Sequence, residues 1–252
     1  MDIRKETEVA VSGAPTQVQL EAINAQAKAK LTREQVYVFS LRLCDDQPDR
    51  DMERFSIGAL HELAKLFVGK PGIFDHAWTA LGQTARLYAA SVEKIGAATC
   101  LIGRAYLLKT EENEPIIAAI DGGILKEVSI ACSMKKATCT ICGKPYGSCD
   151  HRRGSNYDGE VCYAELSEAV DAYEFSFVAV PAQPAAGVVK GAVGSDETPH
   201  PSATPTPSPQ GEGFGQAGVS ARAEENPTKT MSVEEAERAR ARLRLENLRF
   251  GG

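Results

Sequence analysis

The chain of 252 residues has no run approaching the ~18–20 consecutive apolar residues a membrane helix requires. Its start, MDIRKETEVAVSG, lacks the apolar stretch of a secretory signal. Together these predict a soluble protein of a cytoplasm, with no membrane partner. An excess of positive charge is also missing. The formal charge of -6 and a sequence pI near 5.4 argue against nucleic acid as the main partner, because phosphate neutralisation needs a basic face. No heptad repeat is long enough for a coiled coil. An evenly spread, even-numbered cysteine set is lacking too, which argues against a disulfide framework. Of the seven cysteines, Cys132, Cys139, Cys142, Cys149 and Cys162 crowd into one short segment.

What is present is material for one core. Hydrophobic residues make up 43% and charged residues 25%, near globular averages. Residues 1–35 are expected to hold an unpatterned polar stretch and then a helix over 16–35, on which Val18, Leu20, Ile23 and Leu31 are sparse apolar positions. VYVFSLRLC then sets Tyr37, Phe39, Leu41 and Leu43 in alternation with Val38, Ser40 and Arg42, the two-residue period of a strand. DDQPDRDMER reads as a turn. Ser56 can cap a helix whose Ile57, Leu60, Leu63, Ala64 and Phe67 share a face. Six strand-like segments follow: GIFDHAW, ARLYAASVEKIG, RAYLLKT, PIIAAID, KEVSIACS and YEFSFVAVP. The fold class is therefore mainly β with flanking helices, an α+β chain whose residues 36–190 are expected to form one barrel-like domain.

The remainder changes in kind. Residues 191–230 hold six of the thirteen prolines and too little apolar surface to offset ordering entropy, so a disordered linker is expected. In 231–252, Ser232 and Glu235 have capping-box spacing and Glu234 pairs with Arg238, which predicts a short terminal helix.

The sharpest local signal is CTICGKPYGSCDH, an insertion spanning about 137–163. Cys139 and Cys142 form a C-x2-C pair, and Cys149 and His151 complete a four-ligand set suited to zinc, with Cys162 a competing fourth ligand. Four protein ligands leave no open position, so a structural zinc is expected. Lys135, Lys136, Arg152 and Arg153 make a local basic patch, but only Tyr146 and Tyr157 lie among them, which keeps nucleic acid an unfavoured partner.

Catalytic residue types are scattered over other strands. His76 is one of four histidines, Ser129 interrupts an apolar strand, and Glu174 sits inside YEFSF. Singly each suits a solvated or satisfied side chain. Jointly they supply a base, a nucleophile and an orienting group. Across about residues 36–190, the D-R-D-x-E-R-F run before a helix, the histidine after a Gly-containing strand start, the V-S-I motif and the E-x-S-x-V-x-x-P-A ending resemble the phage prohead protease family, the capsid maturation proteases related to herpesvirus assemblin. The resemblance implies an assemblin-like β-barrel serine protease with Ser129 as nucleophile and His76 as base. It implies Glu174 as third member, with Asp75 and Asp171 as alternatives, and no cofactor in the chemical step. Implied partners are the scaffold protein and major capsid protein, with a possible homo-oligomer, inside the immature capsid in the host cytoplasm. Self-cleavage would fit the extended linker. Ala131 departs from the family pattern, where glycine is expected. The rival reading is a zinc-stabilised assembly or scaffold-binding protein without catalysis.

Overall fold

A computed structural model describes residues 12–189. The segments 1–11 and 190–252, including the expected linker and terminal helix, lie outside the described residues. The described chain is mainly β with three α-helices.

Short β1 (Ser12–Gly13) precedes α1 (Gln17–Asn24), which Thr16 and Gln19 start with a reciprocal capping box. The helix expected over 16–35 is thus shorter. Leu20 and Ile23 dock it against Val36, Val38 and Tyr88, and after Asn24 only a 3-10 turn at Arg33–Gln35 resumes helical geometry. β2 (Val36–Asp45) has buried side chains on both faces. Tyr37, Phe39, Leu41 and Leu43 face the main core, while Val36 and Val38 meet α1. The DDQPDRDMER turn ends in a three-residue strand, β3 (Glu53–Phe55), and Ser56 caps α2 (Ile57–Leu66) by accepting from Ala59 N at 3.2 Å.

β4 (Pro71–Phe74), β5 (Ala85–Ile95) and β6 (Ala98–Leu108) follow. PIIAAID, expected as a strand, is instead most of helix α3 (Glu114–Asp121). Pro115 lies in its first turn, where no intrahelical N–H is needed, and Gly122 closes it. β7 (Val128–Cys139) and β10 (Ala164–Phe177) form one long antiparallel hairpin. Its tip holds the cysteine segment and the small β8 (Asn156–Tyr157) and β9 (Glu160–Val161) pair.

The main sheet runs β1-β2-β6-β5-β4-β10-β3, with β7 also on β10. Short β11 (Gly187–Val188) pairs with β2, and its Gly187 bridges Glu127 beside β7. The core lies where Phe39, Phe175 and Phe177 meet Leu60 and Leu63 of α2 and Phe67 at its C-cap. Phe177 stacks between Phe39 and Phe74 at centroid distances of 6.1 and 5.6 Å. Gly72 is required beneath this cluster, because a Cβ there would strike the Phe175 ring.

Two irregularities in β10 set which residues leave the core. Ala172 pairs with Cys132 and Glu174 with Ala131, so Tyr173 is an extra residue opposite no partner. Val170 is a second such residue, between Ala169 opposite Met134 and Asp171 opposite Ser133. A one-residue bulge reverses the inward-outward alternation. Ala172 and Phe175 therefore both face the core, whereas Glu174 and Ser176 face the opposite side.

Candidate functional site

That opposite side of the β7–β10 ladder carries the three residues singled out from the sequence. Val128 and Ile130 contact the core, so Ser129 projects the other way, directly opposite Ser176, with Ala131 opposite Glu174. Facing positions of an antiparallel pair hold their Cβ atoms about 4.5–5.5 Å apart. Ser129 is half-buried, whereas Glu174 and Ser176 are 2% and 0% exposed.

His76 reaches this face by an unusual turn. β4 runs parallel to β10, with Phe74 opposite Phe177, and stops there. Asp75 (φ 50°) and His76 (φ 53°) then adopt left-handed geometry in succession. Such backbone is costly outside glycine and persists only where surroundings hold it. Here Asp75 N donates to Phe177 O at 3.0 Å and His76 N donates to Ser176 Oγ at 3.0 Å. His76 is thus not within the GIFDHAW strand but in the curl beyond it, which folds its ring over β10.

The His76 ring meets Glu174, Nδ1 to Oε1, at 2.7 Å. Ser176 Oγ donates to Glu174 Oε2 at 2.8 Å, and Trp78 Nε1 donates to Oε1 at 3.4 Å. A buried carboxylate is tolerable because each oxygen accepts a hydrogen bond. Ionised Glu174 can only accept, so the proton lies on Nδ1 and Nε2 is left with its lone pair. The hydrogen bond to Glu174 raises the His76 pKa above its ordinary value; burial opposes this, and the Glu174 and Asp75 charges add to it. No hydrogen bond joins the His76 ring to Ser129 Oγ; such contacts often close only around substrate.

Neither alternative acid is bonded to the ring: Asp171 pairs with Lys70 at 3.0 Å, and Asp75 makes no hydrogen bond to His76. Ala131 lies opposite Glu174 at the edge of the bulge but has no positive φ, so nothing in its backbone calls for glycine. Ser176 and Trp78 were missed from sequence. Ser176 was accessible by period two from Glu174, but Trp78, two residues after His76, gave no signal.

A second constellation occupies the hairpin tip. One donor atom each from Cys139, Cys142, Cys149 and His151 lies within 4.8 Å of all the others, a set that could hold a metal ion. The C-x2-C turn closes with Gly143 N donating to Cys139 O at 2.9 Å, and Gly143 takes φ 70°. Buried His151 Nδ1 has no hydrogen-bond partner, the state expected of a nitrogen whose lone pair serves a metal. Cys162 Sγ lies 3.8 Å from Cys139 Sγ, about the separation of two thiolates on one tetrahedral ion with ~2.3 Å bonds. Cys162 thus lies outside the four-donor set but next to one of its members. Against burial, which would raise it, the backbone N–H groups of Cys142 and Ile141 and the neighbouring thiols push the Cys139 pKa down.

The basic residues around this tip are mostly paired. Lys135 and Lys136 both contact Glu168, and Arg153 pairs with Glu53 and lies over the Tyr146 ring. Arg54, from the D-R-D-x-E-R-F run, pairs with Glu165 at 2.6 Å and packs on Tyr163. The Arg54 and Arg153 contacts fasten β3 to β10 and the tip. Among the described residues no helix is long and apolar enough to cross a membrane. No family model, curated protein or solved structure matches the chain.

Proposed function

We propose that the protein is a serine endopeptidase of the prohead protease type, acting on scaffold or capsid protein within an immature phage capsid. The single observation that carries this reading is the 2.7 Å His76–Glu174 contact on the face where Ser129 projects. In the proposed step His76 Nε2 takes the Ser129 Oγ proton as that oxygen attacks a peptide carbonyl. The protonated imidazole is stabilised by Glu174 and returns the proton to the departing amine. Water, activated by the same nitrogen, then breaks the acyl ester and frees Ser129.

The assemblin-like barrel belongs to the same proposal. It is supported by a sheet whose β2 and β7 sides are linked through β11. Zinc is the ion proposed for the cysteine cluster, from its sulfur-rich donors and the unpartnered His151 nitrogen. Bound there it would contribute folding energy to a hairpin tip with little core of its own. Every chemical step falls to His76, Ser129 and Glu174.

The test is to express wild type and Ser129→Ala with the scaffold and capsid proteins of the same phage and read products by intact mass. Wild-type cleavage lost by on the order of 10⁴-fold or more in Ser129→Ala supports the proposal. Equal cleavage removes Ser129 from the mechanism. Binding without cleavage by either would favour the catalytically silent, metal-stabilised adaptor.

A further inference from the structure

The side of the sheet that carries His76, Ser129 and Glu174 also presents apolar surface. Trp78, the chain's one tryptophan, is 66% exposed and Tyr173 is 40% exposed. Their ring centroids are 5.5 Å apart with planes tilted by 52°. Neither ring is placed by chance. Trp78 Nε1 donates to Glu174 Oε1, the atom that also holds His76 Nδ1. Tyr173 is the extra residue of the β10 bulge, adjoining Glu174. The shelf is therefore fixed relative to the group that orients the base.

We propose that Trp78 and Tyr173 form a substrate subsite for one large apolar or aromatic side chain of an extended peptide, within a few residues of the bond cut. This rests on the peptidase reading and names its specificity. Size argues for a side chain over a folded partner: two rings offer far less than the ~800 Å² per partner of a stable protein interface. Chemistry argues likewise, since a ring or branched chain laid on two tilted aromatics leaves water without giving up a hydrogen bond. Occupancy would also shield the Glu174–His76 contact from solvent, tying recognition to the catalytic pair.

The test uses the full-length chain as wild type, Tyr173→Ala and Tyr173→Phe, each incubated with a proteome-derived peptide library whose cut bonds are read by mass spectrometry. Ser129 reactivity is followed in parallel with a fluorophosphonate probe. The shelf predicts enrichment of Phe, Tyr, Trp, Leu or Met by about tenfold or more at one fixed position from the bond. It also predicts loss of that enrichment in Tyr173→Ala and its return in Tyr173→Phe. In Ser129→Ala, the emission of Trp78 should shift to the blue on adding a peptide carrying the preferred residue, and not one with alanine there. Cleavage without apolar enrichment, or enrichment that survives Tyr173→Ala, overturns the shelf and leaves the peptidase standing. Probe labelling with no library peptide cut overturns the shelf as a peptide subsite. Neither labelling nor cleavage in wild type overturns both readings.

Discussion

His76 and Glu174 lie 98 positions apart in sequence and 2.7 Å apart in space, joined because a left-handed curl ends β4 and a bulge reverses the facing of β10. The pair has a measurable electrostatic signature. The hydrogen bond to Glu174 lifts the His76 pKa above 6.5, and a general base works only when neutral. On the proposed peptidase mechanism, wild-type kcat/KM should therefore rise with pH through a value above 6.5. Glu174→Gln should move that limb to lower pH and lower the rate by on the order of 10³–10⁴-fold, since the productive tautomer is no longer favoured. A pH–rate profile checks both, and an unmoved limb would detach Glu174 from the base. The stability linkage has the opposite sense. A raised folded pKa favours the fold while the imidazole is protonated, below about the unfolded value of ~6.5, and the contribution fades as pH climbs through the folded value.

The bulge itself can be removed. Deleting Tyr173 would leave Ala172 opposite Cys132 and Glu174 opposite Ala131 in consecutive register, so strict alternation returns with each residue keeping its facing. Tyr173→Ala keeps the extra residue and removes only an exposed ring. Thermal melts should show a cooperative transition for both Tyr173→Ala and the deletion, because both keep Phe175 and Phe177 in the core. Loss of the cooperative transition in the deletion alone would mean that β10 does not keep this register across Ala172 and Glu174.

How much of this the sequence disclosed depends on whether the governing contact was local. Period-two alternation in VYVFSLRLC and the capped α2 rest on neighbours in sequence, and both elements form there. Glu174 was readable as an acidic residue out of place in a strand. Its facing was not, because Tyr173 in the bulge looks like any strand residue. PIIAAID misled because three isoleucines within six residues suit a strand as readily as a helix. The deciding cues were Pro115, which cannot donate to a ladder, and a two-glycine stop at Gly122 and Gly123. The cysteine spacing announced a ligand set, but whether His151 or Cys162 completes it depends on how the chain between Asp150 and Tyr163 folds back.

A tight contact below the site gives a test of packing alone. Gly72→Ala would push a methyl into the Phe175 ring, whose strand carries Glu174 on its other face. Overpacking of this kind costs about 1–3 kcal/mol. Denaturant unfolding should show that loss, with Ile73→Val, a change one position away, losing only about 0.5–1.5 kcal/mol. Equal midpoints for Gly72→Ala and wild type would mean that β4 and β10 do not pack so closely.

The cysteine cluster makes the last prediction, because it stands at the opposite end of the hairpin from the face that carries His76, Ser129 and Glu174. Cys139 closes β7 opposite Ala164 at the start of β10, while Ser129 and Ser176 face each other near the other end. Ten residues of strand, about 33 Å at ~3.3 Å each, separate Ser129 from Cys139. Metal removal should therefore unfold the tip first, lowering the melting temperature and exposing amides from Cys139 to Cys162 to hydrogen exchange, while the amides around Ser129 and Glu174 keep their protection. Ligand identity can be read by cobalt substitution. His151, with its unpartnered buried nitrogen, is expected to be the fourth ligand, so His151→Ala should weaken metal binding by tenfold or more on the scale of lost metal contacts. Cys162→Ser should weaken it less and leave the sulfur-to-cobalt charge-transfer bands those of three thiolates. A larger loss in Cys162→Ser, with weaker sulfur bands, would reassign the fourth position to Cys162 and leave His151 as a neighbour stacked on Tyr157.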